Sequence, residues 1–108
     1  MIKKAIYVLA MLASVSAHAE FRTGNKLLEQ MNGTPMEKML SLGYVMGVSD
    51  TLQGATVCPP ETLTAGQASD MVKKYLEDNP SVRHLAGDAI VNRVLSSVWP
   101  CAKRGGGV

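Results

Sequence analysis

The sequence has no C-x-x-C pair, no G-x-S-x-G or S-x-x-K segment and no phosphate-cradling glycine loop, and it holds only two histidines and two cysteines. These absences remove ready-made metal, serine-hydrolase and phosphate-binding chemistry. Acidic residues are scattered rather than paired. Charge of one sign is also lacking. Once Lys3 and Lys4 are set aside, for the reason given next, basic and acidic side chains are equal in number. A neutral body has no general attraction for phosphate backbones or anionic lipid, so nucleic acid and membrane are not expected partners. What remains is 46% hydrophobic, 19% charged and 5% aromatic over 108 residues. That composition fits one globular domain and excludes a disordered, collagenous or multi-domain chain.

Met1–Ala19 reads as an address. Lys3 and Lys4 precede an apolar stretch from Ala5 to Val15, and Ala17-His18-Ala19 supplies small residues at the two positions that signal peptidase reads. Eleven apolar residues rise only about 16 Å as a helix, against a bilayer core of roughly 30 Å, so the segment is too short for an anchor. Cleavage after Ala19 is expected, with the product in the periplasm or outside. Residues 20–101 would form the domain, and 102–108 a flexible basic and glycine-rich tail.

The two cysteines agree with that address. An even count in a small exported domain reads as a disulfide, here Cys58–Cys101. With His84 the lone histidine after cleavage, a zinc site lacks ligands, and a catalytic thiol lacks an activating base. No metal and no cofactor are expected. The bridge spans 43 residues of sequence, and loop-closure entropy sets its stabilisation at about 4 kcal/mol as an upper figure.

No segment sustains period-two alternation, so the domain is expected to be all-α, a bundle of about four helices. Thr23–Met31 is the first, broken by Asn32-Gly33. Thr34-Pro35-Met36-Glu37 combines an N-cap hydroxyl, proline at the first position and glutamate at the third, which predicts a helix over Pro35–Leu52. Thr64 and Gln67 repeat the capping box before a helix whose Ala68, Met71, Val72, Tyr75 and Leu76 share one face. Asn79-Pro80 ends it and is expected to open a fourth helix over Ser81–Val98, with Ala86, Ile90, Val94 and Val98 in line.

Three features inside these helices bear on function. Gly43 and Gly47 lie four apart, with Asp50 and Gly54 continuing the face, and each mid-helix glycine costs about 1 kcal/mol relative to alanine. The expectation is close packing against another helix of the same subunit; the alternative is a seam for self-association. Met31, Met36, Met39, Met46 and Met71 fall at helical spacing and read as core filler. His84 is placed in the first turns of the fourth helix beside Arg83, where an exposed imidazole is the default. A hydrolase built from a serine, His84 and Asp88 is the weakest reading.

Phe21-Arg22-Thr23-Gly24-Asn25-Lys26-Leu27-Leu28, Gly43-Tyr44-Val45-Met46-Gly47-Val48-Ser49-Asp50 and Cys58-Pro59-Pro60 then form an ordered set. Gln67, Lys74-Tyr75-Leu76, Asn79-Pro80, Arg83-His84, Ala89 and Pro100-Cys101 extend it. In this order, behind an export signal, the chain resembles the periplasmic immunity proteins of type VI secretion amidase toxins, the resistance-associated (Tai-type) family. The resemblance implies a small helical domain, often a homodimer, without catalysis or cofactor, that occludes the cleft of a peptidoglycan amidase. It marks Gly24, Gly43, Tyr44, Gly47 and Asp50 as motif positions. Such proteins commonly carry two further cysteines, where this chain has Met31 and Ser41. Toxin contact is expected on the loop from Gln53 to Leu63, through Gln53 and Glu61; the alternative is that its prolines merely route the chain. A small periplasmic acid-stress chaperone is the competing functional reading.

Overall fold

Capping chemistry sets where the helices start. The computed structural model describes residues 22–102; the expected signal cleavage after Ala19 and the expected flexible tail beyond Ala102 lie outside the described residues. The elements are α1 (Gly24–Met31), α2 (Pro35–Leu52), α3 (Ala65–Asp78), a single 3-10 turn at Pro80–Val82, and α4 (Gly87–Val98). Thr23 Oγ1 accepts from the Lys26 amide at 3.2 Å and opens α1. Both expected capping boxes are formed. Thr34 Oγ1 accepts from the Glu37 amide and Glu37 Oε1 from the Thr34 amide, each at 3.2 Å. Thr64 and Gln67 do the same at 3.1 and 2.9 Å. Each cap contributes about 1 kcal/mol.

The helices close on one core. α2 packs against each of the other three. Leu27 and Met31 come from α1, Val45 from α2, Ala68, Val72 and Leu76 from α3, and Ile90, Val91, Val94 and Leu95 from α4. Val57 is a core residue that helical periodicity misses: it lies in the loop and is fully buried. The Cys58–Cys101 bridge is present and fixes the end of α4 to the α2–α3 connection. The backbone reinforces it, with the Cys58 amide donating to the Trp99 carbonyl at 2.8 Å. Among the described residues there are no strands, only isolated bridges such as Val57–Pro100.

Three expectations are corrected. The fourth helix begins at Gly87, not Ser81, because residues 83–87 spend their backbone groups on α1. Arg83 and Leu85 carbonyls accept from the Asn25 and Gly24 amides at 2.7 and 2.9 Å, and the Gly87 amide donates to the Arg22 carbonyl at 2.6 Å. His84 therefore sits exposed in a turn rather than in a helix, Ala86 is the N-cap, and Val98 is half exposed.

Second, Gly43 and Gly47 do not pack against another helix of the subunit. A β-carbon at either would meet nothing within 4 Å. Third, Met36 and Met39 are 66% and 68% exposed, so they are not core filler; Met31 is buried and Met71 packs at the core's edge. The reason is common to both corrections. α2 turns its small residues Ser41, Val45 and Ser49 inward, which lets its neighbours approach, and leaves the opposite face outside.

Candidate partner-binding site

The connection between α2 and α3 is held at each step. The Gln53 amide donates to the Ser49 carbonyl at 3.0 Å and ends α2. Gly54 takes φ +84°, a left-handed conformation that favours glycine. The Leu52 carbonyl then accepts from the Ala55 and Thr56 amides at 3.0 and 3.1 Å. Val57 is sunk in the core, Cys58 is bonded to Cys101, and Thr56 Oγ1 donates to Asn92 Oδ1 of α4 at 2.7 Å. Pro59-Pro60 stiffens the next step, the Leu63 amide donates to the Pro60 carbonyl at 3.1 Å, and Thr64 enters its capping box. A loop so constrained loses little conformational entropy on meeting a partner.

This loop forms a wall between two concavities. On one side lies a cleft of about 270 Å³ whose polar rim is Ser49, Asp50, Gln53, Glu61 and Thr64. On the other is a groove of about 570 Å³ with Met71 and Trp99 against Thr62 and Leu63. Pro60 and Leu63 line both. Gln53 and Glu61 are thus brought to one site, and Asp50 joins them from the motif. Sequence reasoning did not single out the Trp99 groove, because a tryptophan next to Pro100 reads as a helix stop rather than as the lining of a groove.

The other motif positions separate. Gly43, Tyr44 and Gly47 line a second surface groove of about 400 Å³ with Val48, Thr51 and Asp88. Gly24 is buried between α1, α3 and α4. The Tyr44 ring lies 4.7 Å from the Arg22 guanidinium. Its hydroxyl is pushed above its ordinary value, first by burial and then by the Asp88 carboxylate, with Arg22 and the Asp88 amide pulling the other way. Met31 and Ser41 are both buried and line one groove between α1, α2 and α3.

Asp88 Oδ1 accepts from the Ala89 amide at 2.8 Å, His84 is exposed, and no hydrogen bond joins them to a serine among the described residues. Among those residues there is no cluster of three or more metal-ligating side chains, and no helix is long and apolar enough to cross a membrane.

No curated protein matches the chain. The family model described as Rap1a immunity proteins matches residues 23–101, from the N-cap of α1 to the second cysteine of the bridge. That span takes in every helix among the described residues and both concavities beside the loop, and the chain belongs to the Rap1a immunity protein family.

Proposed function

We propose that this chain neutralises a peptidoglycan amidase toxin of type VI secretion, binding it stoichiometrically in the periplasm and covering its active site without catalysing any reaction itself. Membership of an immunity family supports neutralisation. The amidase and the periplasm come from the resemblance of the motif set and from the export-type segment Met1–Ala19. The observation that carries the binding surface is the wall made by residues 53–63, braced by the disulfide and flanked by a polar cleft and a Trp99-lined groove. An aromatic anchor beside a polar rim is the usual composition of an energetic centre in a protein interface.

The test is co-purification with a candidate amidase followed by a cell-wall hydrolysis assay. Equimolar chain should abolish hydrolysis, and replacing Gln53 and Glu61 together should weaken the complex while leaving the helical spectrum unchanged. Hydrolysis that continues under saturating chain sinks the proposal. Affinity unmoved by the loop variant removes this surface from it.

The homodimer belongs to the same proposal, and the outer face of α2 supports it. Met36, Met39 and Leu40 project from the N-terminal half, while bare Gly43 and Gly47 leave the C-terminal half hollow. An antiparallel pair of α2 helices about a two-fold axis sets the projecting half of each copy into the hollow half of the other. Between Met36 and Gly47 the only charges are Glu37 and Lys38, which lie off that stripe, so the pairing meets no like-charge repulsion along it.

A further inference from the structure

Three hydroxyls on α2 behave differently. Ser41 Oγ donates to the Lys38 carbonyl at 2.8 Å and Thr51 Oγ1 to the Gly47 carbonyl at 2.9 Å, each turning back on its own helix. Ser49 is only 7% exposed, yet its hydroxyl makes no hydrogen bond among the described residues, and it lines the cleft beside the loop. Its oxygen is not among the buried atoms left without a partner, so it keeps access to solvent and is free to accept a hydrogen bond from a group entering the cleft.

The electrostatics of the cleft point the same way. Asp50 and Glu61 bound it from two different elements, and no Lys, Arg or His lines it. Neither carboxylate is in an ion pair among the described residues; the pairs present are Lys26–Glu29 and Lys74–Asp78. The last turn of α2 carries no basic residue, so the negative end of its dipole is uncompensated at the same place. Met46, Leu63 and Ala68 supply apolar wall. At about 270 Å³ the space is below the roughly 300–1,000 Å³ of small-molecule pockets and suits a single side chain.

The ligand that matches is a cation with an apolar stem, several donors and weak hydration. That describes arginine better than lysine: the guanidinium is planar, carries five donors and sheds water more readily. We propose that this cleft receives one arginine side chain of the protein partner, its guanidinium held between Asp50 and Glu61, with the Ser49 hydroxyl and the Gln53 carbonyl as neutral acceptors. The inference rests on the reading that the loop faces a toxin, and it adds the chemistry of the contact.

An amide-resolved NMR titration of the whole chain with N-acetyl-arginine amide tests it, with the lysine compound and the neutral citrulline compound alongside. Shifts should gather at residues 49–53 and 59–64, be larger for arginine than for lysine, and be absent for citrulline. Asp50→Asn and Glu61→Gln, both at exposed positions, should each weaken binding about fivefold without moving the melting temperature. Citrulline equal to arginine, shifts as strong around Asp70 and Glu77 as around the cleft, or titration unchanged in the double variant would each overturn the proposal. A toxin arm separates the two readings. A toxin complex that survives D50N/E61Q intact removes the arginine contact and leaves neutralisation standing. Arginine held in the cleft by a chain that binds no toxin does the reverse.

Discussion

A β-carbon added to Gly24 would lie 2.5 Å from Ile90 Cδ1, 2.8 Å from Leu76 Cδ2 and 2.9 Å from the Arg83 carbonyl oxygen. The backbone of α1 approaches α3 and α4 so closely because its amides bond to the 83–85 turn. Gly24→Ala is therefore expected to destabilise the fold by about 1–3 kcal/mol. Gly43→Ala and Gly47→Ala, where the same atom meets empty space within the subunit, should each stabilise the dissociated chain by about 1 kcal/mol through helix propensity. Urea midpoints of the three variants check this, and a uniform loss would contradict it. Tyr44 carries a pH signature. Its hydroxyl is raised because burial disfavours the phenolate, so above about pH 10 the unfolded chain releases that proton while the folded one retains it. The stability this gives is complete below that pH and is lost as pH rises through the folded value. Denaturation followed from pH 9 to 11.5 should fall more steeply for the wild type than for Tyr44→Phe.

At the scale of elements, α2 departs furthest from ordinary patterning. Its fully buried positions are small and partly polar, while Met36, Met39 and Leu40 point outward. Replacing Met36 and Leu40 with glutamine should convert the proposed dimer to monomer in sedimentation, while the stability of the dissociated chain stays within about 0.5 kcal/mol, as it does for surface changes. A wild-type chain that is already monomeric at high concentration would refute the seam. The α3–α4 junction has its own test. Arg83 Nε and Nη2 donate to the Leu76 and Glu77 carbonyls at 2.6 and 3.0 Å, closing the end of α3. Arg83→Ala should cost about 1.5–3 kcal/mol, the range for hydrogen bonds to a charged group, read as a lowered melting temperature.

Across the whole molecule the disulfide is the covalent restraint, joining residues 43 apart. Loop-closure entropy puts its worth at up to about 4 kcal/mol, against the 5–15 kcal/mol of net stability usual for a domain. Changing Cys58 and Cys101 to serine together should lower the denaturant midpoint by a large fraction. It should also weaken partner binding more than the loss of folded chain explains, because the wall between the two concavities would no longer be pinned. Complex formation that tracks the folded fraction alone would show that the loop needs no such bracing.

Local chemistry wrote much of this molecule into its sequence. The Thr34 and Thr64 boxes, proline at the start of α2, the apolar stripe of α3 and the paired cysteines each act within a turn or by simple count, so their outcome could be read from neighbouring letters. What could not be read that way depended on groups far apart in the chain. The start of α4 shifted because distant amides on α1 claimed the carbonyls of residues 83 and 85. The glycine face of α2 turned outward because Ser41, Val45 and Ser49 are small enough for its neighbours to press against them. Asp50, Gln53 and Glu61 share a cleft because a buried valine and a disulfide fold their loop back across the end of the helix. Periodicity gives the spacing of a face along its own helix; which way that face turns is chosen by the packing of all four helices together.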